Sequence, residues 1–251
     1  MSSTFVSLSS SSSGNCFLWR SGSICGLIDA GISAKRVEIA MDQFGLKPCD
    51  INLIMITHEH SDHIAGLKVL LKRCSPLVLV PESLTGFFAS EYPDSSFHGL
   101  PAHEGFSFEN LTITGFRNHH DAKACYGYRL DTPDFSLGHA TDMGKPAVHT
   151  RHFLKGTDYL VVESNYDRKM LLTGSYPYYL KRRIASALGH LDNDLTLRLV
   201  EEIRHQGLKR VMLAHLSQEN NDPKIVSGKF SSRFADLPFT IASRNEITVL
   251  F

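Results

Sequence analysis

The sequence predicts an α/β fold, on two observations. Short apolar runs rich in β-branched residues alternate with segments of helical pattern, at INLIMIT (51–57), SDHIAGLKVLLKRC (61–74), LVLVP (77–81) and ESLTGFFAS (82–90), and the alternation returns from YLVVES (159–164) onward. Continuous apolar runs of that length fit strands buried on both faces, and intervening helices are what cover them. The chain of 251 residues, 42% apolar and 21% charged, is long enough for one large domain or two small ones.

Taken in order, FVSL and CFLW read as strands joined by a tight loop, because SGN at 13–15 tolerates positive φ. SICGLIDAG is a third strand, and SAKRVEIAMDQFG has a serine cap, apolar residues at helical spacing and a glycine stop. After the four α/β elements above come strands at FSF, LTITGF, YGYRL and FSLGHAT. YLVVES is a strand, YPYYLKRRIASAL and NDLTLRLVEEIRHQG are helices, RVMLAHLS is a strand, and EITVLF closes the chain as another. No repeat, charge block or linker interrupts this order.

The composition excludes several classes. Lys plus Arg equals Asp plus Glu at 26 each, so nothing global marks a polyanion binder and any nucleic-acid contact must use a local patch. No apolar run approaches the roughly 18 residues of a membrane span, and the N-terminus lacks the basic and apolar regions of a signal peptide. Five scattered cysteines without a CxxC pair fit a reducing compartment, so a cytoplasmic location is expected.

The chemistry lies where the strands end. LIMIT runs into His58, followed by His60, Asp62 and His63; LTITGFRNHH reaches His119 and His120; FSLGHAT reaches Asp142; RVMLA reaches His215. Strands of one layered sheet deliver their ends to a common edge, so these groups can converge. Neutral imidazole and carboxylate suit zinc, with manganese or iron as alternatives. Seven such groups exceed one tetrahedral zinc and suit two divalent ions bridged by a carboxylate. The residues alone leave His119 and His120 open as the third-strand ligand.

The run THEHSDH (57–63) resembles the HxHxDH signature of the metallo-β-lactamase fold, and Asp29, His120, Asp142 and His215 follow in that family's order. SLSSSSSGNC, HDA, ATDMG, ESNYD, YPYYLKRRI, GHLDND and HLSQENN are similar to stretches of its YycJ/WalJ/VicX group. The group has a serine after GHL where this chain has Asp192, and NHHDA carries an extra histidine. The resemblance implies a four-layer αββα sandwich. It also implies a metal-dependent exonuclease acting on DNA, in which a metal-bridged hydroxide attacks the phosphodiester. His58, His60 and His120 would hold one ion, Asp62, His63 and His215 the other, with Asp142 between. About 70 residues separate Asp142 from His215, too few for an inserted cap, so residues 1–251 are expected to form a single domain.

Around that centre, Asp29 is expected to brace the ligand loop, and His190 to contact phosphate or give a proton to the leaving group. Lys181, Arg182 and Arg183 are candidates for a phosphate track. Ser13, Gly14 and Asn15 are candidates for backbone donors to an anion. Asp62 and His190 are the candidate catalytic groups. Two rival functions share the fold. One is hydrolysis of a thioester, lactone or other carbonyl substrate at the same metals; the other is a non-catalytic regulator.

Overall fold

Ser10–Asn15 bends the chain between its first two strands. In the structure, a computed structural model describing residues 3–251, β1 (Thr4–Ser9) and β2 (Cys16–Ser21) pair antiparallel across it. β3 (Ile24–Ile28) follows, then α1 (Ala34–Asp42), whose Ser33 cap accepts the Arg36 N–H and whose exit turns at Gly45 with φ +66°. Next come β4 (Leu53–Met55), α2 (Ser61–Ile64), α3 (Leu67–Leu70), β5 (Leu77–Pro81), α4 (Thr85–Glu91) and β6 (His98–Leu100).

The one helix expected over 61–74 is two short ones, and the reason is specific. The Asp62 carbonyl accepts from Asn15 N–H, the His63 carbonyl from Ala30 N–H, and Gly66 N–H donates back to Ala30. Three groups that would have continued the helix ladder are diverted to neighbouring loops. A Cβ at Gly66 would lie 1.9 Å from the Ile32 carbonyl oxygen, so only glycine permits this approach.

The second half runs β7 (Gly105–Phe108), β8 (Leu111–Arg117), β9 (Tyr126–Asp131), β10 (Ser136–Ala140), α5 (Val148–Leu154), β11 (Tyr159–Glu163), α6 (Arg168–Thr173), α7 (Tyr178–Ile184), α8 (Asn193–Ile203), β12 (Arg210–Ala214), α9 (Pro223–Arg233) and β13 (Phe239–Ile241). β14 (Thr248–Val249) returns to pair with β1. The elements β6, α5, α6, α9 and β13 have weak sequence patterns. For example, α9 buries only Val226 and Phe230 and carries Gly228 mid-helix.

Among the described residues there are two seven-stranded sheets, ordered β14-β1-β2-β3-β4-β5-β6 and β13-β12-β11-β10-β9-β8-β7. In each, four neighbouring strands are parallel (β3 to β6, β10 to β13) and the rest antiparallel. The single-sheet edge expected from sequence is therefore an edge shared by two sheets.

Side-chain alternation builds the layers. Leu53 and Met55 of β4 and Met212 and Ala214 of β12 point into the core between the sheets, with Phe5, Phe17, Trp19 and Tyr128. Ile54 and Ile56 face α1, α3 and α4, while Val211 and Leu213 face α5, α8 and α9. The result is the αββα order of layers.

Candidate metal centre

Parallel strands end together, and the loops leaving them form the site. From the first sheet come Asp29 after β3 and His58 to His63 after β4. From the second come His120 beyond β8, Asp142 after β10, Glu163 at the end of β11 and His215 after β12. Asp29, Asp142 and His215 all have left-handed backbones, with φ of 61°, 57° and 57°. Aspartate and histidine tolerate that region better than most residues, and at functional sites such strain costs about 1–3 kcal/mol each.

The nitrogen and oxygen atoms of His58, His60 and His120 converge within 4.8 Å of one another, as do those of Asp62, His63 and His215. Asp142 joins His58 and His63 in one such group and Glu163, His190 and His215 in another. His120 is buried in the cluster; His119 is exposed and turns its ring toward His149, 6.3 Å away.

Each buried imidazole of the cluster has its outer nitrogen occupied. His63 Nδ1–H donates to Asp29 Oδ2 at 2.7 Å, His58 Nδ1–H to the Thr57 hydroxyl at 2.9 Å, His120 Nδ1–H to the Gly189 carbonyl at 3.1 Å, and His215 Nδ1–H to Glu163 Oε1 at 2.9 Å. In every case the Nε2 lone pair faces inward. His58 Nε2, His215 Nε2 and Asp142 Oδ2 are buried without a hydrogen-bond partner among the described residues. Buried orphan acceptors are costly, and a cation among them satisfies all three, so the donor set fits divalent metal.

Asp29 is fully buried and accepts the Thr57 N–H and hydroxyl as well as His63, so it fixes the loop that carries His58 and His63. Its carboxyl is raised by burial, against the opposing pull of His63. Burial would also raise the Asp62 carboxyl, but His215 and His63 beside it hold it well below the carboxylate range. Without a metal, His215 would be lowered by burial, yet Asp142, Asp62 and Glu163 carry it to about 10, so a cation bound at its Nε2 would displace a proton. The centre has an excess of negative charge.

Two placements depart from expectation. Ser13, Gly14 and Asn15 do not present free amides: Ser13 N–H donates to the Ser11 hydroxyl, Gly14 N–H to the Ser11 carbonyl and Asn15 N–H to the Asp62 carbonyl. The loop is folded on itself, and Asn15 Nδ2 instead reaches Asp62 Oδ2 at 3.4 Å. Lys181, Arg182 and Arg183 fan apart, as consecutive helical residues must. Lys181 Nζ donates to the Leu172 and Gly174 carbonyls, Arg182 lies over the Tyr178 ring, and Arg183 pairs with Asp121. His139 is a core residue, packed edge-on against Phe17 at 4.8 Å.

Glu163 is the residue the sequence analysis missed. Its carboxylate accepts from His190 Nδ1 at 2.8 Å, His215 Nδ1 at 2.9 Å and the amides of Met143 and Leu191. The signal was present: YLVVE is a buried strand ending in a carboxylate, by the same rule that singled out His58 and His215. β11 lies between β10 and β12, so its end falls between Asp142 and His215. His190 is one-fifth exposed, with its ring 5.1 Å from that of His120 and 5.3 Å from that of His215.

The model of the beta-lactamase superfamily domain matches residues 27–216. Exodeoxyribonuclease WalJ of Streptococcus pneumoniae is 33% identical over 219 residues, spanning 85% of this chain and 81% of that protein. Exodeoxyribonuclease YycJ of Bacillus anthracis is 31% identical over 251 residues, spanning 97% and 93%. The crystal structure of the metallo-beta-lactamase fold protein YhfI from Bacillus subtilis superposes with a TM-score of 0.74 at 16% identity, covering 99% of this chain and 100% of that one.

Proposed function

Because the chain belongs to the beta-lactamase superfamily, in the group of its WalJ and YycJ relatives, it is a metal-dependent hydrolase, and we propose that it is a dinuclear exonuclease acting on DNA. The observation that carries the dinuclear reading is the charge of the centre. Asp29, Asp62, Asp142 and Glu163 crowd one cluster of imidazoles. With the imidazoles neutral, four carboxylates are balanced by two divalent cations. His58, His60 and His120 would hold one, Asp62, His63 and His215 the other, with Asp142 shared; zinc suits these donors best, and manganese and iron also fit. When bound, the ions supply Lewis acidity and an activated water at neutral pH.

The protein's own part is positioning and proton transfer. Glu163 accepts from His190 Nδ1 and so fixes the orientation of the ring. That leaves Nε2 of His190, on the open side of the centre, to protonate the leaving oxygen. Arg183 pairs with Asp121 next to His120, which places a guanidinium at the rim of the centre. Between Asp142 and His215 the chain forms only α5, β11, α6, α7, α8 and β12, so substrate meets the metals without a cap domain inserted there. The unpaired cysteines fit a reducing, cytoplasmic setting, and no helix among the described residues is long and apolar enough to cross a membrane.

The test is hydrolysis of end-labelled DNA by zinc- or manganese-loaded protein, beside a nitrophenyl phosphodiester, a thioester and a lactone. Stepwise release of nucleotides from the DNA end supports the reading. Turnover confined to the thioester or lactone overturns it.

A further inference from the structure

Resting on the DNA reading above, we propose that the α6–α7 excursion is a platform for unpaired DNA, on which Tyr178 and Tyr179 stack bases of the strand being digested. Three independent observations meet there.

The first is charge. The whole chain is neutral, yet residues 168–191 hold Arg168, Lys169, Lys181, Arg182 and Arg183 and no acid of their own; Arg168 and Arg183 are matched by Asp192 and Asp121 outside the stretch, which leaves Lys169, Lys181 and Arg182 as its excess of positive charge. Tyr176, Tyr178 and Tyr179 lie within the same stretch. Interleaved cations and aromatic rings match a ligand that carries regular negative charge and flat apolar faces together.

The second is exposure. Most helices in a folded protein are held by burying one face, but α7 buries no residue fully, and only Leu180, Lys181 and Ile184 are half-buried. Tyr178 and Tyr179 are 75% and 74% exposed, and Leu172, whose carbonyl accepts from Lys181 of α7, is 73% exposed. Large apolar and aromatic side chains this exposed in one short segment mark a contact surface.

The third is position. α7 is braced although only one side of it is half-buried. Lys181 Nζ donates to the Leu172 carbonyl at 2.9 Å and the Gly174 carbonyl at 2.7 Å, which fixes the turn from α6. Arg183 is tied to Asp121, and the Gly189 carbonyl holds His120 Nδ1 at 3.1 Å. The platform is therefore anchored to a residue of the metal centre at one end and presents tyrosines at the other. Along a helix the rise is about 1.5 Å per residue, so Tyr179 and Arg183 are about 6 Å apart, close to one nucleotide step of an extended strand.

Stacking requires unpaired faces. A duplex would offer α7 its phosphates and leave the tyrosines unused, so the strand crosses this surface single.

The experiment uses the metal-loaded full chain, an end-labelled single-stranded oligonucleotide, the same oligonucleotide with abasic sites near its end, and bis(4-nitrophenyl) phosphate. Tyr178→Ala with Tyr179→Ala should raise KM for the intact oligonucleotide roughly 5- to 150-fold per stacked base. The abasic substrate should lose its sensitivity to that change, and the small ester should be turned over as before. Tyr178→Phe with Tyr179→Phe should restore the KM, because the ring face is what binds. An unchanged KM in the alanine variant that still turns over the small ester normally, or an equal loss on intact and abasic DNA, overturns the platform while leaving the nuclease reading intact. Wild-type protein that hydrolyses the small ester but no DNA overturns both.

Discussion

Glu163 and His190 form a carboxylate–imidazole pair, Oε1 to Nδ1 at 2.8 Å, and the same oxygen accepts from His215 at 2.9 Å. One buried acid thus serves both the candidate proton donor and a candidate metal ligand. His190→Ala should lower turnover of DNA about 10²- to 10⁴-fold, the usual worth of a general acid, with metal content unchanged. A nitrophenolate leaving group needs no proton, so the loss on a nitrophenyl phosphodiester should be much smaller. Glu163→Gln should lower both turnover and metal content, which elemental analysis and kinetics separate.

Asp62→Ala should abolish measurable turnover with the fold retained, since Asp62 lies at the start of the short helix α2 and its side chain faces the cluster. Metal content after saturation should fall from two ions per chain toward one. A wild-type content that stays near one would remove the dinuclear assignment.

Asp29→Asn should weaken metal binding about 10- to 100-fold, in the range of changes to groups that orient a ligand. Asparagine tolerates the φ of 61°, but it is not ionised, and at best one of its terminal atoms can still accept the Thr57 or His63 protons. Circular dichroism should stay native while a competing chelator strips the metal more readily.

His139 is fully buried, and burial lowers its imidazole to about 3. Unfolded, it titrates near 6.5, so the unfolded chain binds a proton that the folded chain refuses. Stability is complete above about 6.5 and falls as the pH drops, by about 2–3 kcal/mol at pH 4.5 from this residue alone. His139→Leu should lose less stability than wild type between pH 7.5 and 4.5, measured by urea unfolding.

Arg182 has no ion pair among the described residues and lies over Tyr178, whereas Lys181 braces the α6–α7 turn. Arg182→Gln should lower the slope of log affinity against log salt by roughly one unit for DNA. Lys181→Gln should lower the melting temperature as well, because two carbonyls lose their donor.

The sequence by itself determined the alternation of strands and helices and most of the cluster. β-branched runs, helical spacing and the residue type at each strand end are local properties, and they already name His58, His60, Asp62, His63, Asp142 and His215. Tertiary structure alone decided the rest. That the strand ends come from two sheets, that His120 rather than His119 turns inward, that amides 13–15 are spent within the loop and on Asp62, and that α2 breaks from α3 all depend on partners distant in the chain. Asp29 meets His63 across 34 residues and Glu163 meets His215 across 52. Hydrogen bonds at that separation have no local pattern to betray them; they exist because parallel strands bring their ends to one edge, where buried polar groups must find each other.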